Sequence, residues 1–103
     1  MKAAQSILLL VLTTSLNAQV IISGTVSDKK ENPVMYANIY LEGSYEGTIS
    51  DTSGYFILET EQEGSQLLVV SFMGYEKFTR AIDLGSDLAP ITIQLKEQVS
   101  ELN

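Results

Sequence analysis

From Gln19 onward the chain alternates apolar and polar residues with period two, in seven short runs separated by turn residues. No other feature constrains the fold as much. Successive side chains of a strand face opposite sides of a sheet, so each run reads as a half-buried strand. Val20 to Asp28 sets Ile22, Gly24 and Val26 against Ser23, Thr25 and Ser27. Val34 to Glu42 sets Ala37, Ile39 and Leu41 against Asn38, Tyr40 and Glu42. Thr48 to Asp51 is a short third strand, and Tyr55 to Thr60 turns Phe56 and Leu58 inward. Leu67 to Met73 is almost wholly apolar, the pattern of a central strand covered on both faces. Tyr75 to Leu84 is more polar and reads as an edge strand. The last run, Ala89 to Lys96, places Ile91, Ile93 and Leu95 inward and Thr92, Gln94 and Lys96 outward.

The connections carry turn chemistry. Pro33 closes the charged stretch that begins at Asp28, and Gly43 and Gly47 bracket the next link. Asp51-Thr52-Ser53-Gly54 reads as a hairpin turn in which Asp accepts from nearby backbone and Gly supplies positive φ. Glu61 to Gly64, Gly74, and Gly85-Ser86-Asp87 end the remaining runs. Nothing after Gln19 sustains a helical period. The expectation is an all-β fold, a seven-stranded Ig-like or transthyretin-like (prealbumin-like) sandwich over residues 19–97, with 98–103 a polar linker that packs against nothing.

The first eighteen residues have a different character. Lys2 is a positive n-region, Ile7 to Leu12 an apolar core, and Ala18 a small residue for cleavage before Gln19. That apolar core is shorter than the roughly 20 residues a spanning helix needs, so residues 1–18 read as a signal peptide. No Cys follows it to take a lipid anchor. Cleavage leaves 85 residues, enough for one domain. A domain of that size buries only about 60–65% of the surface its unfolded chain exposes, so its core must be economical. Without Cys, an exported chain must rely on sheet packing in place of disulfides.

Composition excludes several functions. The net charge is −7, and −8 once Lys2 is removed, while Lys29, Lys30, Lys77, Arg80 and Lys96 are scattered along the sequence. Nucleic acid needs clustered cations, so it is not expected as a partner, and anionic lipid is disfavoured for the same reason. The absence of His and Cys removes imidazole bases, thiolate nucleophiles and the usual zinc sites. Carboxylates remain, at Asp28, Glu31, Glu42, Glu46, Glu59, Glu61 and Glu63, in turns or on outward positions. A working pair needs a cleft that raises one pKa, which so small a sandwich rarely provides. Asp51 to Gly54 supplies only part of the six to eight oxygens calcium needs, and is better read as a turn. Lys29 and Lys30 lie in a turn, which argues against an isopeptide crosslink, since that requires a buried lysine. No catalytic residue, cofactor or metal is therefore expected. Tyr40, Tyr45 and Tyr55, outward or in a connection, are the candidate interaction surface, although tyrosine is also simply a good strand residue.

Three ordered segments then point to a family. Gly24 to Asp28, Pro33-Val34 and Ala37 to Gly43 resemble the opening of carboxypeptidase-regulatory-like domains. Gly47-Thr48-Ile49-Ser50-Asp51-Thr52-Ser53-Gly54-Tyr55-Phe56 resembles that family's G-T-x-(S/T)-D-x-x-G-x-F signature. Ser71 to Glu76 is similar to its S-(F/Y)-x-G-Y-E segment. The resemblance covers Ile22 to Leu95 and implies an accessory fold with no peptidase activity of its own. It further implies a Bacteroidota setting, where such domains follow a signal peptide and precede the plug and barrel of TonB-dependent receptors. The expected function is a non-catalytic extension of such a receptor, located in the periplasm or outer membrane of a Gram-negative bacterium. Its partners would be the plug or barrel of the same chain, or periplasmic proteins, with the membrane reached only through an attached barrel. The alternative is a free secreted or surface module that binds protein or glycan.

Overall fold

The computed structural model describes residues 19–86 and 88–99. The signal peptide expected over 1–18 and most of the expected linker lie outside them. Among the described residues seven strands form: β1 (Val20–Ser27), β2 (Asn38–Leu41), β3 (Gly47–Ile49), β4 (Tyr55–Thr60), β5 (Ser65–Ser71), β6 (Phe78–Asp83) and β7 (Ile91–Gln94). They pair into a three-stranded sheet of order β4-β1-β7 and a four-stranded sheet of order β3-β2-β5-β6. All pairings are antiparallel except β1 with β7, which is parallel from Gly24 opposite Ile91 to Ser27 opposite Gln94. This is the expected seven-stranded sandwich.

The alternation in the sequence becomes the two faces of each sheet. Ile22, Val26, Phe56, Leu58, Ile91 and Ile93 point from the first sheet into the core, meeting Ile39, Leu41, Leu68, Val70 and Ile82 from the second. Each such side chain contributes about 1.5–3 kcal/mol by leaving water, which offsets the chain entropy of a domain this small. The central position expected for the most apolar run is where β5 lies, between β2 and β6. Its Val69 points away from the core yet is only 2% exposed. The residues opposite Val69 in the ladder are Tyr40 on β2 and Thr79 on β6. The polar run forms an edge strand, as expected, but starts at Phe78 and not at Tyr75.

Two expectations fail locally. Val34 to Ala37 does not extend β2; it folds into a turn with Tyr36 at φ 64°. The segment instead gives its backbone to neighbours. Val34 N–H donates to the Val26 carbonyl at 2.9 Å, and Tyr36 N–H to the Ser50 carbonyl at 2.9 Å. The domain also runs past residue 97. Glu97 bridges to Tyr75, and Gln98 N–H donates to the Gly74 carbonyl at 2.9 Å. Residue 98 is thus hydrogen-bonded into the sandwich and is not a free linker.

Candidate interaction surfaces

The family signature builds one end of the sandwich. Asp51 organises the β3–β4 turn: its Oδ1 accepts from Ser53 N–H and from Tyr55 N–H, both at 2.9 Å. Its own N–H donates to the Tyr55 carbonyl at 2.8 Å, and Gly54 N–H donates to the Asp51 carbonyl at 2.9 Å. Oδ1 is taken up by turn backbone, which gives Asp51 a structural role in the turn. Gly54 takes φ 79°, and a Cβ there would collide with the Val26 carbonyl. Only glycine meets both demands. Beside it, the Ser50 side chain is fully buried; its Oγ donates to the Val34 carbonyl at 2.7 Å and accepts from Ala37 N–H at 2.9 Å. Ser50, Asp51 and Gly54 of the signature thus each have a structural role.

The three tyrosines do not converge. Tyr55 is on the outer face of the three-stranded sheet, 41% exposed, whereas Tyr40 is half-buried on the outer face of the four-stranded sheet. Tyr45 stands fully in solvent in the β2–β3 connection. Since the two outer faces look in opposite directions, no single aromatic surface forms from them. This corrects the expected surface: alternation identifies outward residues but not the sheet they belong to. Tyr55 lies opposite Thr25 and extends an apolar strip along the same face. Ile57 follows two residues along β4, and Ile21 on β1, opposite Glu59, lies diagonally across from Ile57; both are about half exposed.

An unpaired edge adjoins that face. Tyr55 turns its N–H and carbonyl to Asp51 and away from β1. By the alternation of an antiparallel ladder, Ile57 and Glu59 direct their backbone groups the same way, along the outer side of β4. Such an edge is a template for strand addition.

The topology gathers the lysines at one end, beside Asp28, Glu31, Asp51, Glu76 and Glu97. Lys29 and Lys30 follow β1, Lys96 follows the parallel β7, and Glu76 N–H donates to the Lys96 carbonyl at 2.7 Å, which brings Lys77 to the same end. Every lysine among the described residues is therefore at one end of the sandwich. The opposite end carries Glu42, Glu46, Glu59, Glu61, Glu63 and Asp83 without a cation among its described residues. No group of three or more Asp or Glu among the described residues is arranged to hold a metal ion. Cations scattered along the sequence are gathered in space. Sequence reasoning missed this because Lys30 and Lys96 meet only through the parallel β1–β7 pairing, which alternation does not reveal.

The comparisons with known proteins agree with this geometry. The CarboxypepD_reg-like domain model matches residues 22–103. The chain belongs to that family. Over 58 residues it is 40% identical to the TonB-dependent receptor SusC of Bacteroides thetaiotaomicron, a match spanning 56% of this chain and 6% of the receptor. The chain thus corresponds to a small fraction of that relative's length. Among solved structures, it resembles a chain from each of two type II Cohesin-X-Dockerin complexes of Acetivibrio cellulolyticus. One has TM-score 0.55 and 17% identity, covering 76% of this chain and 58% of that one. The other has TM-score 0.51 and 18% identity, covering 73% and 51%. At such identity the likeness concerns the fold alone.

Proposed function

We propose that this CarboxypepD_reg-like domain is a non-catalytic accessory module on the periplasmic side of a TonB-dependent outer-membrane receptor, exported by the signal peptide of residues 1–18. The observation that carries the reading is the 40% identity to SusC within a family match that covers most of the chain. The geometry supports a contact role. The signature residues Ser50, Asp51 and Gly54 are committed to turns, and the groups left outward are an unpaired β4 edge and an apolar strip of Ile21, Tyr55 and Ile57. Partners would be a plug or barrel in the same chain, or periplasmic proteins that add a strand or cover that strip.

Reading the encoding DNA in frame for about 3 kilobases past Asn103, a span set by ordinary multi-domain lengths, tests the proposal. The expected result is a plug followed by a long β-rich barrel. A stop codon directly after Asn103, with no receptor gene nearby, would favour the second reading of a free-standing binding module. Mass spectrometry of the exported product should find Gln19 at its N-terminus; a retained Met1 would remove the export step.

A further inference from the structure

The lysine end of the sandwich contains a groove of about 300 Å³ between the β1–β2 loop and the segment after β7. Lys29 and Lys30 line one side, Lys96 the other, and Leu95 and Val99 add apolar surface. Two carboxylates are also there, but they are not equivalent. Asp28 is spent within its own loop: Oδ1 accepts from Lys30 N–H at 2.8 Å and Asn32 N–H at 2.9 Å, and Oδ2 accepts from Asn32 Nδ2 at 3.2 Å. The loop closes further through Asp28 N–H to the Asn32 carbonyl at 2.9 Å and Glu31 N–H to the Asp28 carbonyl at 3.1 Å. Lys29 and Lys30 are thus held on a defined turn, and Glu97 is the one groove carboxylate not engaged by that loop.

We propose that this groove docks an acidic peptide segment of a partner protein, its carboxylates against Lys29, Lys30 and Lys96 and an apolar side chain against Val99. Charge complementarity carries the assignment. Glu31, Asp51 and Glu76 share this end but do not line the groove, whose three lysines face one carboxylate outside the loop, Glu97, whereas the other end sets six carboxylates against no described cation. Val99, 77% exposed beside the lysines, gives the groove an apolar element that favours a peptide over a simple anion. The proposal does not depend on a receptor following in the chain, so its failure and the failure of the functional reading are separable.

The test is an amide-resolved NMR titration of the chain with a short synthetic peptide rich in Glu and Asp with spaced leucines. The same peptide carrying Gln and Asn, and phosphatidylglycerol vesicles, are titrated in parallel. Shifts confined to Lys29, Lys30, Lys96 and Val99, weakening with added salt, are expected for the acidic peptide alone. Joint Lys30→Glu and Lys96→Glu replacement should weaken binding by about tenfold or more, whereas Lys77→Glu, at the same end but outside the groove, should change it less than about twofold. Equal binding of the uncharged peptide, equal loss in Lys77→Glu, or a response to the vesicles in place of the peptide would each overturn the proposal.

Discussion

The Ser50 hydroxyl donates to the Val34 carbonyl at 2.7 Å while accepting from Ala37 N–H at 2.9 Å, so one buried side chain ties β3 to the turn that precedes β2. The backbone closes the same link, through Ser50 N–H to the Ala37 carbonyl at 3.0 Å. Ser50→Ala would strand a buried donor and acceptor where water does not reach, and should lower stability by about 2–3 kcal/mol. Ser50→Thr keeps the hydroxyl and should lose less. Urea unfolding checks this: the alanine variant should have a lower midpoint at unchanged slope, and equal midpoints for alanine and wild type would refute the account.

Gly24 is needed for space and not for positive φ. It lies in β1 opposite Phe56 and beside Ile91, where an added Cβ would collide with the Ile91 carbonyl and press to 3.0 Å on the Phe56 ring. Neither neighbour yields cheaply, since one is backbone of the parallel pair and the other fills the core. Gly24→Ala should therefore destabilise by about 3 kcal/mol or more. At exposed Gly85 a Cβ would meet, among the described residues, only the Asp83 carboxylate, at 3.3 Å, and Gly85→Ala should change stability by less than about 1 kcal/mol. Thermal unfolding of the two variants separates close packing from generic glycine loss.

Strand number, turn positions and inward residues were legible in the sequence because burial and the pleat share one period. The inward set Ile22, Val26, Phe56, Leu58, Ile91 and Ile93 is the one alternation selects. Alternation failed at Val34 to Ala37, where Ser50 and Val26 take the backbone bonds that a longer β2 would have used. It also failed wherever the answer depended on which strands become neighbours. Tyr40 and Tyr55 both read as outward, yet belong to opposite sheets, and Lys30 and Lys96 read as unrelated, yet line one groove. Those facts follow from pairing across long sequence separations, which a local pattern does not encode.

The tyrosines should divide by role. Tyr40 sits opposite Val69, which faces outward yet is only 2% exposed. Truncation by Tyr40→Ala should uncover part of Val69 and cost about 1–3 kcal/mol, whereas Tyr45→Ala, at a fully exposed position, should stay within about 0.5 kcal/mol of wild type. Chemical denaturation of both variants decides the matter. If Tyr40→Ala proved as silent as Tyr45→Ala, the half-buried ring would not be covering Val69 and would return to the list of candidate contact residues.

Asp28 gives the domain a pH-dependent loop. Asn32 backbone N–H donates to its carboxylate and is the largest influence; desolvation acts the other way, but the Asn32 side chain, Lys30 N–H and the Lys30 ammonium add to the lowering and outweigh it. The folded pKa is therefore below the ordinary value of 3.8. A carboxylate with a depressed folded pKa stabilises the native state fully above its unfolded value, and that contribution is lost as pH falls through the lowered folded value. Stability measured through and below pH 3.8 should thus fall with acid in wild type, in part through this residue. Asp28→Asn, which keeps the Oδ1 acceptor but has no carboxylate to protonate, should be less stable than wild type at neutral pH. The two should converge as acid protonates Asp28, because only then does wild type also lack the charge. A gap between them that stayed constant across the titration would mean that the Asn32 and Lys30 contacts do not favour the ionised loop. The fixed display of Lys29 and Lys30 would then need a different cause.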